Sequence, residues 1–159
     1  MRRAPALLLA IAALCSAAEQ GSWKKINYIG GTVPVKASPY DWNTTLTITS
    51  NPDILVLVIA PATVFGRQQS VRLKPSQINS IVSGPGAFQR VGGIMGAQLP
   101  AHAPRLRSLF GLLAQSELLG ILYQGDDGKQ AGVLFQMEAV RGLDRALEAF
   151  SGKPLEYAK

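Results

Sequence analysis

Apolar and polar positions alternate along the first half of this chain with the spacing of strands, then switch to helical spacing and back. Trp23 to Gly31 (WKKINYIGG) predicts a first strand, with Trp23 and Ile29 bracketing a mixed pattern. Thr32 to Asn43 is a connecting loop that contains Pro34, Pro39, Tyr40 and Trp42. Thr44 to Ser50 alternates cleanly, Leu46 and Ile48 to one side and threonines to the other. Asn51-Pro52-Asp53 reads as a turn. Ile54 to Ala60 (ILVLVIA) is an unbroken aliphatic run of strand length, which predicts a buried central strand ended by Pro61. Thr63 to Phe65 suggests a further short strand. Ser70 to Leu73 alternates again, Lys74-Pro75-Ser76 breaks the pattern, and Gln77 to Val82 resumes it.

Seven prolines and glycines fall between Gly84 and Pro100, and Ser83 to Pro104 reads as a mobile loop. From Pro104 the period changes: Leu106, Leu109, Phe110 and Leu113 form one stripe of a short helix. Gly111 within it costs about 1 kcal/mol against alanine. Leu118 to Gln124 returns to strand, Gly125-Asp126-Asp127-Gly128 supplies a hairpin turn, and Ala131 to Met137 is the returning strand. The chain closes on an amphipathic helix with Leu143, Ala146, Leu147 and Phe150 on its apolar face, stopped at Gly152 and Pro154. The expected fold is therefore mainly β within the α+β class. It is a bent antiparallel barrel or sandwich, with a loop and helix inserted at about 84–117 and a terminal helix plugging one open end.

The tail ILYQGDDGKQAGVLFQ followed by GLDRALEAFSGKP resembles the end of bacterial pleckstrin-homology-like domains and the related GRAM-type modules. In those, the last hairpin leads into one helix that caps a bent seven-strand barrel. The stretch LTITSNPDILVLV and then SVRLKPSQINSIV resembles their middle strands, and the resemblance covers roughly Trp23 to Pro154. It implies a binding or scaffolding module rather than an enzyme, with the first strand–strand loop lining a ligand site. The chain departs from the family's pattern in the 84–117 insertion and in lacking a terminal-helix tryptophan.

The beginning of the chain changes the picture of where this domain works. Arg2 and Arg3 precede an uncharged apolar run from Ala4 to Leu14, and Ser16 and Ala18 stand at the −3 and −1 places of a signal-peptidase cut. The run is shorter than the about 20 apolar residues of a permanent span. Residues 1–18 thus read as a cleavable signal peptide, which implies export to a periplasm or the extracellular space. Residues 19–159 then form a single domain. Lipid attachment at Cys15 is the alternative, and Leu14 stands where a small residue is usual. Removing residues 1–18 leaves 141 residues with 14 basic and 10 acidic side chains, a net charge of +4. No run of Lys or Arg exceeds Lys24-Lys25, so no phosphate-tracking stripe and no nucleic-acid partner are expected.

Chemistry is sparse. Cys15 is the chain's single cysteine, so the exported domain has no disulfide, thiolate nucleophile or thiolate metal site. The single histidine, His102, lies in a Pro/Ala loop without a motif around it, which argues against a Ser-His-Asp triad. Asp126 and Asp127 are turn residues with no third carboxylate at ligand spacing. Gly84 to Gly96 lacks the Gly-Lys-Ser/Thr ending of a phosphate loop. No catalytic residue, metal or cofactor is expected.

Two candidate surfaces remain. In the insertion, Phe88, Val91, Ile94, Met95 and Leu99 are accompanied by Arg90, Arg105 and Arg107. They would either enter an anionic lipid surface or a partner groove, or simply cover the sheet. The first loop carries Lys36, Tyr40 and Trp42, with Lys24 and Lys25 on the strand before it. An exposed Trp/Tyr pair would be a binding surface, whereas a packed Trp42 would close the barrel end. Asn43-Thr44-Thr45 is a glycosylation sequon, relevant in a eukaryotic host. The expected function is non-enzymatic binding in the cell envelope, to a protein or an anionic membrane surface. The alternative is a structural domain that forms a homo-oligomer through the insertion, and an unrecognised hydrolase comes third.

Overall fold

Strands with one apolar face must bury it, and these strands do so by bending one sheet back over itself. The computed structural model describes residues 18–38, 41–102, 116–138 and 142–159. Its strands are β1 (Ala18–Gly31), β2 (Thr44–Ser50), β3 (Ile54–Ile59), β4 (Gln69–Leu73), β5 (Ile78–Ser83), β6 (Ser116–Gln124), β7 (Gln130–Glu138) and β8 (Leu155–Tyr157). Its helices are α1 (Gly86–Gly92) and α2 (Leu143–Ser151), with one 3-10 turn at Pro75–Gln77. The sheet order is β4-β3-β2-β1-β7-β6-β5-β8. Every neighbouring pair is antiparallel except β5–β8, which is parallel. The sheet ends on β4 and β8 and is not closed. It is thus a mixed open sheet, where wholly antiparallel pairing was expected. The terminal strand β8 has too short a pattern to announce itself in sequence.

β1 is the strand on which the two halves meet. Its first part pairs with β2 and its last part with β7, and Ile26 faces Thr44 on one side and Met137 on the other. Register shifts after Glu19, Trp23 and Tyr28 bend and twist it along the way. The concave side of both halves shares one core. Leu46, Ile48, Leu55, Leu57, Ile59 and Leu73 come from β2–β4, and Ile81, Ile121, Val133 and Phe135 come from β5–β7. Tyr28 meets Phe135 edge-on at 6.0 Å between ring centroids. α2 adds Leu143 and Leu147 to this core, with Ala146 and Phe150 half-buried beside them, so the expected apolar stripe is the packed one.

A second core lies on the outer side of β5–β7. Val82, Leu122 and Leu134 point there, covered by Ala87 and Val91 of α1 and by Ile94 just beyond it. Of the stretch 83–104, expected to be a mobile loop, the described residues 83–102 therefore contain a helix and a cover for the sheet. Glycine makes this possible by close approach: a Cβ on Gly30 would strike the Gln98 carbonyl, and one on Gly132 would strike Ile94. Gly31 and Gln98 bridge reciprocally, with N–H···O distances of 3.0 and 2.8 Å. As a result β7 is buried on both sides from Val133 to Met137. β3, expected to be the buried strand, buries only Leu55, Leu57 and Ile59 and leaves Val56 and Val58 half-exposed, because nothing among the described residues covers the outer side of β2–β4. Thr63 to Phe65 is a turn and not a strand. The helix expected after Pro104 lies outside the described residues, as does Tyr40.

Candidate functional site

The antiparallel registers bring three connections to one end of the sheet: residues 32–43 between β1 and β2, 60–68 between β3 and β4, and 125–129 between β6 and β7. The first two are stitched together by backbone hydrogen bonds. Ala60 N–H donates to the Asn43 carbonyl and Ala62 N–H to the Lys36 carbonyl, each at 2.8 Å. Asn43 anchors this junction. Its Nδ2 donates to Asn27 Oδ1 and to the Ser38 carbonyl, and its Oδ1 accepts from the Tyr28 N–H and the Thr44 hydroxyl, all at 2.8 Å. The nitrogen that a glycan would occupy is thus buried and doubly engaged, so the folded sequon is closed to modification.

Most exposed apolar bulk in the described residues gathers at this end. Gly66 N–H donates to the Thr63 carbonyl at 3.0 Å and closes a turn whose central residues are Val64 and Phe65. These two are 98% and 97% exposed. Trp42 is 44% exposed and Met95 95%, and the remaining large exposed apolar residue, Tyr157, lies on β8. Single exposed apolar residues are ordinary, but four of the five sit on loops at or beside this end. Lys36 and Arg67 stand exposed in the same two loops, with Asp41 opposing them.

Between the β1–β2 connection, the start of β4 and the β6–β7 turn lies a cleft of about 750 Å³. Val33, Pro34, Val71 and Ala131 give it apolar walls, and Thr32 and Tyr123 supply hydroxyls. Burial raises the pKa of both Tyr28 and Tyr123. Tyr28 is raised further by Tyr123, while its hydrogen bond to the Val33 carbonyl opposes the shift, and a hydrogen bond to Thr32 opposes it for Tyr123. Both phenols are therefore neutral hydrogen-bonding groups across the physiological range. Among the described residues the Tyr28 hydroxyl donates to the Val33 carbonyl and the Tyr123 hydroxyl is hydrogen-bonded with Thr32.

Of the residues singled out by sequence, Lys36 and Trp42 belong to this end. Arg90 does not. It sits on α1 and faces Glu156 of β8 at 3.6 Å, both side chains about half exposed, a surface pair of small energy. Arg105 and Arg107 lie outside the described residues. Val91 and Ile94 are buried, so they are cover for the sheet and not free to enter lipid. Val64 and Phe65 escaped sequence reasoning because two strand-forming residues after Pro61 read as a strand. Gly66-Arg67-Gln68 directly after them is the signal of a turn. Among the described residues no group of three or more His, Cys, Asp or Glu converges, and His102 is exposed. No helix among them is long and apolar enough to cross a membrane. Comparison with protein-family models, curated proteins and solved structures gives no match.

Proposed function

We propose that this chain is an exported, non-enzymatic binding module that docks by the loop end of its sheet onto a membrane or protein surface of the cell envelope. The observation that carries the reading is the Val64–Phe65 turn, two almost fully exposed apolar side chains held out by a hydrogen-bonded turn. Trp42 and Met95 share that end, and Lys36 and Arg67 stand beside them. Apolar side chains at a turn tip gain about 1.5–3 kcal/mol each when taken out of water, and neighbouring cations add attraction to anionic head groups. Support for export comes from Arg2-Arg3, the apolar run after them, and Ser16-Ala17-Ala18 immediately before or at the start of β1. A cut after Ala18 would leave Glu19 to begin that strand. On this reading the sheet is a scaffold for its loops, as in a pleckstrin-like module.

The test is co-sedimentation of residues 19–159 with vesicles containing anionic lipid and, separately, with isolated envelope fractions. The unaltered chain should sediment and the Val64→Ser/Phe65→Ser double variant should stay in solution. A concentration-dependent dimer lost in the same variant would assign the patch to self-association instead. Equal behaviour of the two proteins on both materials would overturn the reading.

A further inference from the structure

Beside the loop tip, and independent of it, β4 forms one end of the sheet. Its strand partner is β3, and its other edge borders the 750 Å³ cleft, which Gln69, Ser70 and Val71 line directly. An edge strand presents a row of backbone N–H and C=O groups spaced to receive another strand. Side chains alternate along β4: Leu73 is buried, Gln69 and Val71 are half-buried, and Ser70 and Arg72 are exposed. A strand laid along this edge would follow the same alternation. Its inward side chains would enter the cleft against Val33, Val71 and Ala131, with the Thr32 and Tyr123 hydroxyls behind. Its outward side chains would lie near Arg72.

Charge selects among such strands. Arg67, Arg72 and Lys74 are exposed on and around β4, and no acidic residue occurs from Ile54 to Ser116. Among the described residues the ion pairs are Lys25–Glu138 and Arg90–Glu156, and neither uses these three cations. The far wall of the cleft carries one charge of each sign, Asp127 and Lys129, and Asp127 Oδ1 already accepts the Lys129 N–H at 3.0 Å. Cations on an edge discourage a second copy of the same edge and attract an acidic one.

We infer that β4 is an acceptor for an extended acidic peptide, which adds as a strand and places an apolar side chain in the cleft. Strand addition supplies the affinity through the backbone. The cleft and the three cations supply the preference.

The probe is a seven-residue peptide of alternating valine and glutamate, titrated into the isotope-labelled chain up to millimolar concentration. Amide shifts should concentrate on Gln69–Leu73 and the cleft walls. Replacing every glutamate by lysine should weaken binding at least tenfold, as should Arg67→Glu/Arg72→Glu in the protein. N-methylation of the peptide amides that face β4 should do the same, although it leaves every side chain charge in place. Undiminished binding by the N-methylated peptide, shifts centred away from β4, or no binding at millimolar peptide would overturn the proposal. So would β4 shifts produced by anionic vesicles but not by the peptide. Because the tip residues Val64 and Phe65 are untouched here, failure of this experiment and failure of the vesicle test are separate results.

Discussion

Asn43 donates its side-chain amide to the Oδ1 of Asn27 at 2.8 Å, and both residues are buried where β1 passes from β2 to β7. At that crossing the register shifts, and the Asn43 side chain accepts from the Tyr28 N–H and donates to the Ser38 carbonyl. A side chain with both a donor and an acceptor serves both groups. Asn43→Ala would remove four hydrogen bonds and take the side-chain acceptor from the buried Tyr28 N–H. The expected cost is about 2–4 kcal/mol, read as a lower urea midpoint at unchanged slope. A midpoint within experimental error of the unaltered chain would mean that water replaces the amide.

Gly30 lies where residues 98 and 99 cross the sheet, and an alanine Cβ there would collide with the Gln98 backbone and stand 2.9 Å from a Leu99 methyl. Backbone cannot rotate away as a side chain can. Gly30→Ala should therefore lift the 94–99 segment, destabilise the fold by roughly 1–3 kcal/mol and speed hydrogen exchange at Gly31 and Gln98. Gly132→Ala meets the end of the Ile94 side chain instead, which can shift, and its effect should be smaller.

This contrast also shows what could be read from sequence and what could not. β2 and α2 were legible because each has one buried face, so the period of Leu46 and Ile48, or of Leu143 and Leu147, is the period of the element. The β6–β7 hairpin was legible from its turn, where Gly128 takes a positive φ of 76° and Gly125 N–H donates to the Lys129 carbonyl. α1 was illegible because glycine at both ends depresses helix propensity. What stabilises it is burial of Ala87 and Val91 against glycines 120 and 132, residues far away in sequence. The run ILVLVI in β3 misled for a related reason: a two-sided apolar pattern does not say whether anything covers the second side. The loop end was half legible. Lys36 and Trp42 stood out by residue type, whereas grouping them with Val64, Phe65 and Met95 depends on strand order, which no local pattern encodes.

The two buried phenols make stability depend on alkaline pH. Each has a folded pKa raised above the unfolded value near 10, mainly by burial, so the neutral form is the one the fold favours. Their contribution is fully present below about pH 10 and is lost as pH rises above it, because the unfolded chain then releases protons that the folded chain retains. Where both groups are ionised only in the unfolded state, the decline approaches about 1.4 kcal/mol per pH unit for each. Tyr28→Phe removes the hydrogen bond to Val33 and should lower stability at neutral pH while making the alkaline decline shallower. Urea midpoints measured from pH 8 to 12 test both; parallel curves for the two proteins would contradict the assignment.

The apolar residues of the 86–99 segment and those of the 63–66 turn should respond oppositely to substitution. Val91 and Ile94 close the second core over Val82, Leu122 and Leu134, whereas Val64 and Phe65 touch almost nothing. Val91→Ala or Ile94→Ala removes buried methyl groups and should cost about 1–4 kcal/mol, with the larger value at the larger side chain. Removing residues 86–99 altogether would expose the outer side of β5–β7 and should leave a chain that aggregates or fails to fold. Val64→Ser/Phe65→Ser should stay within about 0.5 kcal/mol of the unaltered protein. Thermal unfolding of the four variants side by side decides the matter. If the core substitutions prove neutral, the segment is not a structural cover. If the tip substitutions prove costly, the tip is packed and the binding reading loses the observation on which it stands.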